Sequence, residues 1–236
     1  MERECILEVR NLRKKIRNKL IIQDVSFSIN EGEIIGLIGN NGSGKTTIMK
    51  LITGLLRPSN GEVYINGYNI KTHKKKALEY IGAVIEVPAL YLHLTGLQNI
   101  KYFSRFYKDI KKDKIDEIID LLEMRNFINL KVDEYSLGMK QRLGLAISMV
   151  HNPKLLILDE PINGVDSKGI MLLRKHLREI AENYGTAILV SSHILTELES
   201  ICDRAILIED GNIKNIVEVD KNISLESILN DVKEKK

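Results

Sequence analysis

Apolar and polar positions follow two different periods along this chain. Val25, Phe27 and Ile29 alternate with Ser26 and Ser28, the two-residue period of a half-buried strand, and Asn30-Glu31-Gly32 supplies a turn after them. Residues 62–65 read as another short strand, closed by Asn66-Gly67, a dipeptide suited to a tight hairpin. Residues 33–38, 155–158, 187–190 and 205–208 are almost wholly apolar, which predicts strands covered on both faces. Elsewhere the spacing becomes helical. Ile170, Leu173, Leu177, Ile180 and Tyr184 recur at three and four residues, and Gly185 ends the run. Strand, helix, strand in this order predicts a parallel sheet wrapped by helices.

Residues 91–150 carry helical signals and no convincing strand. Thr95 with Gln98 makes a capping box ahead of Leu97, Ile100 and Phe103. Residues 114–124 repeat apolar side chains at Ile115, Ile118, Ile119 and Leu122. The stretch reads as an all-helical lobe inserted into an α/β core. Near the end, Leu225, Ile228, Leu229 and Val232 predict a short amphipathic helix over 224–232.

Composition narrows the class. The chain has 236 residues, 44% hydrophobic and 28% charged, enough apolar material for a sizeable core. Its longest apolar runs are four residues, against the roughly 20 that a membrane-spanning helix needs. Charges at Glu2, Arg3, Glu4 and Glu8, with no apolar core of secretory type after them, lead to the expectation that this stretch is not a cleaved secretory leader. A net charge of +3 demands no nucleic-acid partner. The lysine-rich stretches 13–19, 71–76 and 108–114 read as solvated loops and helix ends. Cys5 and Cys202 lie far apart without metal-ligand spacing, and both are expected as small buried hydrophobes in a reducing compartment. These features point to a cytoplasmic protein.

Three segments carry chemistry. Gly39-Asn40-Asn41-Gly42-Ser43-Gly44-Lys45-Thr46 fits the phosphate-loop pattern directly after an apolar strand. Its glycines let consecutive backbone N–H groups curl around phosphate oxygens, ahead of the positive end of a helix that continues through Thr47. Lys45 would reach the β- and γ-phosphates, and the Thr46 hydroxyl would take a Mg²⁺ position. Asp159 and Glu160 sit where the strand 155–158 emerges, at the edge where such sheets bind ligands. Alternating strand side chains would send them to two jobs: Asp159 to Mg²⁺ through water, Glu160 to polarising an attacking water. Tyr135-Ser136-Leu137-Gly138-Met139 precedes a helical run, with Ser136 as its cap and a second anion site in the exposed N–H groups.

Over about residues 5–215 these segments resemble the ATP-binding subunits of ATP-binding cassette (ABC) transporters. The phosphate loop is similar to that family's Walker A motif and residues 155–160 to its Walker B. Residues 135–139 resemble its signature sequence in variant form, with Leu137 and Met139 where Gly and Gln are commonest. The resemblance implies a P-loop NTPase α/β core with an N-terminal antiparallel β subdomain and the inserted helical lobe, followed by a short tail over 216–236. It implies ATP and Mg²⁺ as cofactors. It also implies that Ser136 and Gly138 act on ATP held by an opposing subunit, and that Asp166, in Asn163-Gly164-Val165-Asp166, meets that subunit too. His193, after Ser191-Ser192, corresponds to the family's switch histidine at the γ-phosphate.

Two positions depart from the common pattern. Glu86 stands where the family usually places a Mg²⁺-sensing Gln between core and lobe, a feature that resembles the branch exporting lantibiotics and bacitracin-like peptides. A carboxylate there adds an interaction on the order of 4 kcal/mol with each neighbouring charge, attractive to metal and repulsive to phosphate, so its net sign stays open. Ile16 replaces the usual aromatic ring against adenine, which predicts modest ATP affinity and tolerance for other purines.

The resulting expectation is an ATPase subunit working as a homo- or heterodimer, peripheral at the inner face of the membrane. It would drive a separate permease for antimicrobial peptide or drug efflux, with Glu86 and the lobe as the coupling surface. A ribosome- or DNA-associated ABC ATPase is the rival. The single phosphate loop and the lobe of only about 60 residues speak against it. A sensing ATPase on a permease-like receptor stays open.

Overall fold

The four apolar runs become neighbouring parallel strands. A computed structural model describes residues 3–108 and 110–219, and the helix expected over 224–232 lies outside them. A long hairpin, β1 (Cys5–Ile16) and β2 (Lys19–Asn30), precedes β3 (Ile34–Ile38) and α1 (Lys45–Ile52). Then come β4 (Asn60–Ile65), β5 (Tyr68–Asn69), α2 (Lys74–Leu78) and β6 (Ile81–Val84). Helices α3 (Gly96–Ser104), α4 (Lys112–Leu121) and α5 (Leu137–Met149) intervene before β7 (Leu155–Leu158). Next are α6 (Ser167–Tyr184), β8 (Ala187–Ser192), α7 (Leu195–Glu199), β9 (Arg204–Glu209) and β10 (Asn212–Glu218).

The strand order is β5-β4-β1-β2-β10-β9-β3-β8-β7-β6. From β9 to β6 every neighbouring pair is parallel, whereas β1, β2, β4 and β5 pair antiparallel. β10 joins the two halves, antiparallel to β9 and bridged in parallel to β2 through Asn212 and Asp24.

Alternation along the central strands divides the core. Ile34, Leu156, Leu158, Ile188 and Val190 face α5 and α6, together with Leu143, Ala146, Leu177 and Ile180. Their neighbours Ile35, Leu37, Leu155, Ile157 and Leu189 face the other way, against Ile48, Met49 and Ile52 of α1 and Val9, Val25 and Phe27 of the hairpin. An uninterrupted apolar run is what a strand with two dry faces requires.

Local signals translate directly. Ile65 pairs with Tyr68 across Asn66 and Gly67, both at positive φ (47° and 78°), the backbone of a type I′ hairpin. The Thr95 hydroxyl accepts from the Gln98 N–H at 3.2 Å, and Gln98 Oε1 accepts from the Thr95 N–H at 2.9 Å. Helix α6 ends at Gly185.

Three strands differ from the sequence expectation. The β1/β2 register shifts between Val9 and Leu12, where Asn11 takes φ 46°, so no clean two-residue period runs through β1. β6, for which no strand is read in the sequence, is a four-residue edge strand paired with β7. β10 continues to Glu218, past residue 215, and is only half buried, so it lacks the apolar run of the central strands. Cysteine burial is also corrected: Cys202 is buried, but Cys5 is exposed, because it opens β1 ahead of Ile6 and Leu7, where burial begins.

Candidate active site

Residues 39–44 connect the C-terminal end of β3 to the N-terminus of α1. Gly44 precedes the helix at φ 113°, a backbone conformation that favours glycine, and it lies against Ile22 on β2. The loop is supported from behind by the β9–β10 turn. The Gly211 N–H donates to Ser43 O at 3.0 Å, while Gly211 O accepts from the Gln23 N–H at 2.9 Å. A Cβ on Gly211 would fall 2.0 Å from Ile21 O.

Asn40, Asn41 and Gly42 form the exposed crest, and Thr46 and Thr47 are half-buried on the first turn of α1. Lys45 is only 4% exposed and folds back, donating to Gly39 O at 2.7 Å and Asn40 O at 3.3 Å. Ser43 Oγ is buried with no hydrogen-bond partner among the described residues, although Ser43 lies inside the loop. An orphaned hydroxyl in a loop that leads into a helix N-terminus fits an anionic ligand with acceptor oxygens, as a phosphate chain has.

β7 brings two carboxylates to this loop, and β8 brings the hydroxyl that holds them. Leu158 of β7 pairs with Val190 of β8, so one residue further on Ser191 stands beside Asp159. The Ser191 hydroxyl donates to Asp159 Oδ1 at 2.7 Å and accepts from the Glu160 N–H at 2.8 Å. Asp159 also accepts from the Thr46 hydroxyl at 2.8 Å, joining β7 to α1. Strand alternation is not what separates the two acids. β7 stops at Leu158, and Glu160 turns away through a left-handed backbone at φ 47°. Its Oε2 accepts from Asn163 Nδ2 and lies 3.2 Å from His193 Nδ1, while Oε1 lies 3.5 Å from Lys45 Nζ. Lys45, Thr46, Asp159, Glu160 and His193 thus converge at the C-terminal edge of the parallel strands, the ligand edge of such sheets.

Thr46 and Asp159 offer hard oxygen donors that suit Mg²⁺. Among the described residues no group of three or more His, Cys, Asp or Glu could enclose a metal alone. Glu86, just beyond β6, borders the same cavity of about 520 Å³ as Thr46, Asp159 and Glu160. It also takes positive φ (64°), and its carboxylate pairs with Lys50 Nζ at 2.6 Å.

The remaining candidates lie elsewhere. Ser136 caps α5, accepting from the Met139 N–H at 3.3 Å. Tyr135 anchors this segment: its buried phenol, pushed up to about 12 by burial, donates to Phe127 O at 2.9 Å. Asp166 caps α6, accepting from the Gly169 N–H at 3.0 Å. Ser136, Gly138 and Asp166 line one cavity of about 420 Å³, to which residues 39–47 contribute nothing. Ile16 ends β1 opposite Lys19 and is 45% exposed. Sequence reasoning missed the bridging role of Ser191, the hold of Asn163 on Glu160, and Lys50. Only the β7/β8 register announces the first, and no local pattern announces the other two.

Comparison with known proteins agrees with this geometry. The ABC transporter family matches residues 22–163. The chain is 47% identical to the uncharacterized ABC transporter ATP-binding protein YdbJ of Bacillus subtilis, over 89% of this chain and 68% of that one. It is 38% identical to the lantibiotic transport ATP-binding protein SrtF of Streptococcus pyogenes, covering 95% and 96% of the two chains. Identity to the bacitracin transport ATP-binding protein BcrA of Bacillus licheniformis is 36%, over 88% and 68%. An ATP-binding subunit of an ABC transporter superposes with a TM-score of 0.85 at 27% identity, over 97% of this chain and 99% of the other. The cassette MJ0796, in a dimeric post-hydrolysis state bound to ADP and Pi, gives 0.81 at 26% identity, over 91% and 99%. The chain belongs to the ABC transporter family as one of its ATP-binding subunits, an ATPase coupled to transport.

Proposed function

We propose that this chain is one half of a paired ATPase that powers a separate permease expelling antimicrobial peptides or related drugs. The observation that carries the catalytic part is the convergence of Lys45, Thr46, Asp159, Glu160 and His193 on one strand edge. Bound MgATP would supply a phosphoryl group open to attack by water. Lys45 would exchange its carbonyl partners and Glu160 for phosphate oxygens, with the N–H groups of residues 39–47 around them. Thr46 and Asp159 would hold the metal, and Glu86 borders that position. Glu160 would accept the proton of the attacking water, and His193 beside it would contact the γ-phosphate.

Separation of the two sets of residues supports the pairing. Ser136, Gly138 and Asp166 surround a cavity to which this chain's own phosphate loop does not contribute. A nucleotide touching both sets of residues would lie between two subunits, closed by ATP and released by hydrolysis. The partner permease would dock beside Glu86, where Val87 is 78% exposed and Tyr91, Tyr102 and Phe106 present an aromatic face. Among the described residues no helix is long and apolar enough to cross a membrane, so attachment at the inner membrane face would depend on that docking. The cargo class rests on the bacitracin and lantibiotic relatives and on Glu86 in place of glutamine.

The test is susceptibility. Cells lacking this chain should become sensitive to bacitracin-like or lantibiotic peptides, and wild-type protein should restore resistance where the Lys45→Ala variant does not. Unchanged sensitivity across such peptides removes the cargo reading. Membrane attachment that persists without the permease removes the docking reading.

A further inference from the structure

The carboxylate at position 86 has a partner that the family pattern does not announce. Lys50 lies four residues after Thr46 on α1, so both side chains leave the same face of the helix that begins at the phosphate loop. Thr46 reaches Asp159, and one turn further Lys50 reaches Glu86 at 2.6 Å. The pair links α1 to the segment joining β6 to α3, across 36 residues of sequence. Its side chains are 30% and 61% exposed, so it contributes little to stability. Its position beside the catalytic cleft is what makes it consequential. Asp159 and Glu160 on the same cavity wall have their own partners in Thr46, Ser191, Lys45 and His193, whereas without Lys50 the Glu86 carboxylate would stand there uncompensated. The left-handed backbone of Glu86 is the kind of strained geometry that persists where the surroundings fix it.

We propose that Lys50 is a positioning residue for the metal–nucleotide cleft: it holds the Glu86 carboxylate away from the Thr46–Asp159 position and cancels its charge against the incoming triphosphate. This rests on the assignment of the cleft to MgATP made above. It answers the sign question that a glutamate in place of glutamine raises, because the added negative charge arrives with its own cation. Lys50 itself touches neither metal nor phosphate in this role.

The experiment is a double-mutant cycle with two readouts: equilibrium binding of a fluorescent ATP analogue at fixed Mg²⁺, and Mn²⁺ binding in the presence of ATP by electron paramagnetic resonance. Lys50→Met should weaken nucleotide binding by about fivefold, the scale of one exposed ion pair, and alter Mn²⁺ affinity, while the melting temperature stays near that of the parent. In a Glu86→Gln background the same truncation should change binding by less than about twofold, since no charge is left to compensate. Lys50→Arg should retain the parent's behaviour. An equal effect of Lys50→Met in both backgrounds, or none in either, overturns the proposal. Failure of the unmodified protein to bind MgATP would instead overturn the cleft assignment beneath it.

Discussion

Ser191 bonds to Asp159 through its hydroxyl at 2.7 Å, and the same oxygen accepts the Glu160 N–H at 2.8 Å. One buried side chain therefore fixes both acids, one by its carboxylate and the other by its backbone. Ser191→Ala should leave Glu160 N–H without its partner and Asp159 one donor short. The expected cost is about 1–3 kcal/mol of stability together with roughly tenfold slower turnover. Urea denaturation and steady-state ATPase rates measure the two. A variant matching the parent in both would show the bridge to be dispensable.

Glu160→Gln retains the shape of the side chain and its contact with Asn163 but removes the base. ATP binding should survive, hydrolysis should fall at least about 10²-fold, and a dimer should accumulate with ATP. Size-exclusion chromatography with and without nucleotide follows the dimer. Undiminished turnover would take Glu160 out of its role.

Lys45→Ala removes a cation that is almost fully buried and satisfied by Gly39 O and Asn40 O. It should abolish measurable ATP turnover while circular dichroism retains the helical content. Turnover equal to the parent's would mean that phosphate is bound elsewhere.

The phosphate loop was legible because its chemistry is local: residue types at fixed spacing after one apolar strand. The central strands were legible because two dry faces leave no room for polar residues. What escaped depends on contacts across the sheet. Ser191 meets Asp159 only because β7 and β8 are in register, and Lys50 meets Glu86 only because β6 ends near α1. β1 hid because its register shifts at Asn11, and β10 because a half-buried strand between two partners needs no apolar run.

His176 on α6 is fully buried, and neither ring nitrogen has a hydrogen-bond partner among the described residues. Burial lowers its pKa to about 4, against an upward pull from Glu123, with Arg142 and Lys175 adding to the decrease. The folded protein therefore keeps this ring neutral while the unfolded chain takes up a proton below about pH 6.5. The stability that His176 contributes should be lost as pH drops from 6.5 toward 4, by roughly 3 kcal/mol at most, with no further loss from this ring below. His176→Leu should flatten that slope in denaturation midpoints measured across the range. An unchanged slope would assign acid sensitivity to other groups.

Ile16 is exposed at the end of β1 and offers a base no ring to stack on. GTP should compete with ATP within about tenfold, and Ile16→Tyr should tighten ATP binding by an amount on the scale of ~1 kcal/mol. Strong discrimination for ATP in the parent would rule out an open, aliphatic base contact.

The support given to Ser43 by Gly211 has a consequence for biosynthesis. Residues 39–46 leave the ribosome early, yet the backbone against which they rest arrives nearly 170 positions later. Competence to hold nucleotide should therefore appear abruptly, once Gly211 has been added and has folded back, rather than grow with the nascent chain. Ribosome-arrested fragments ending short of Gly211 should carry the whole motif and still fail to retain ATP.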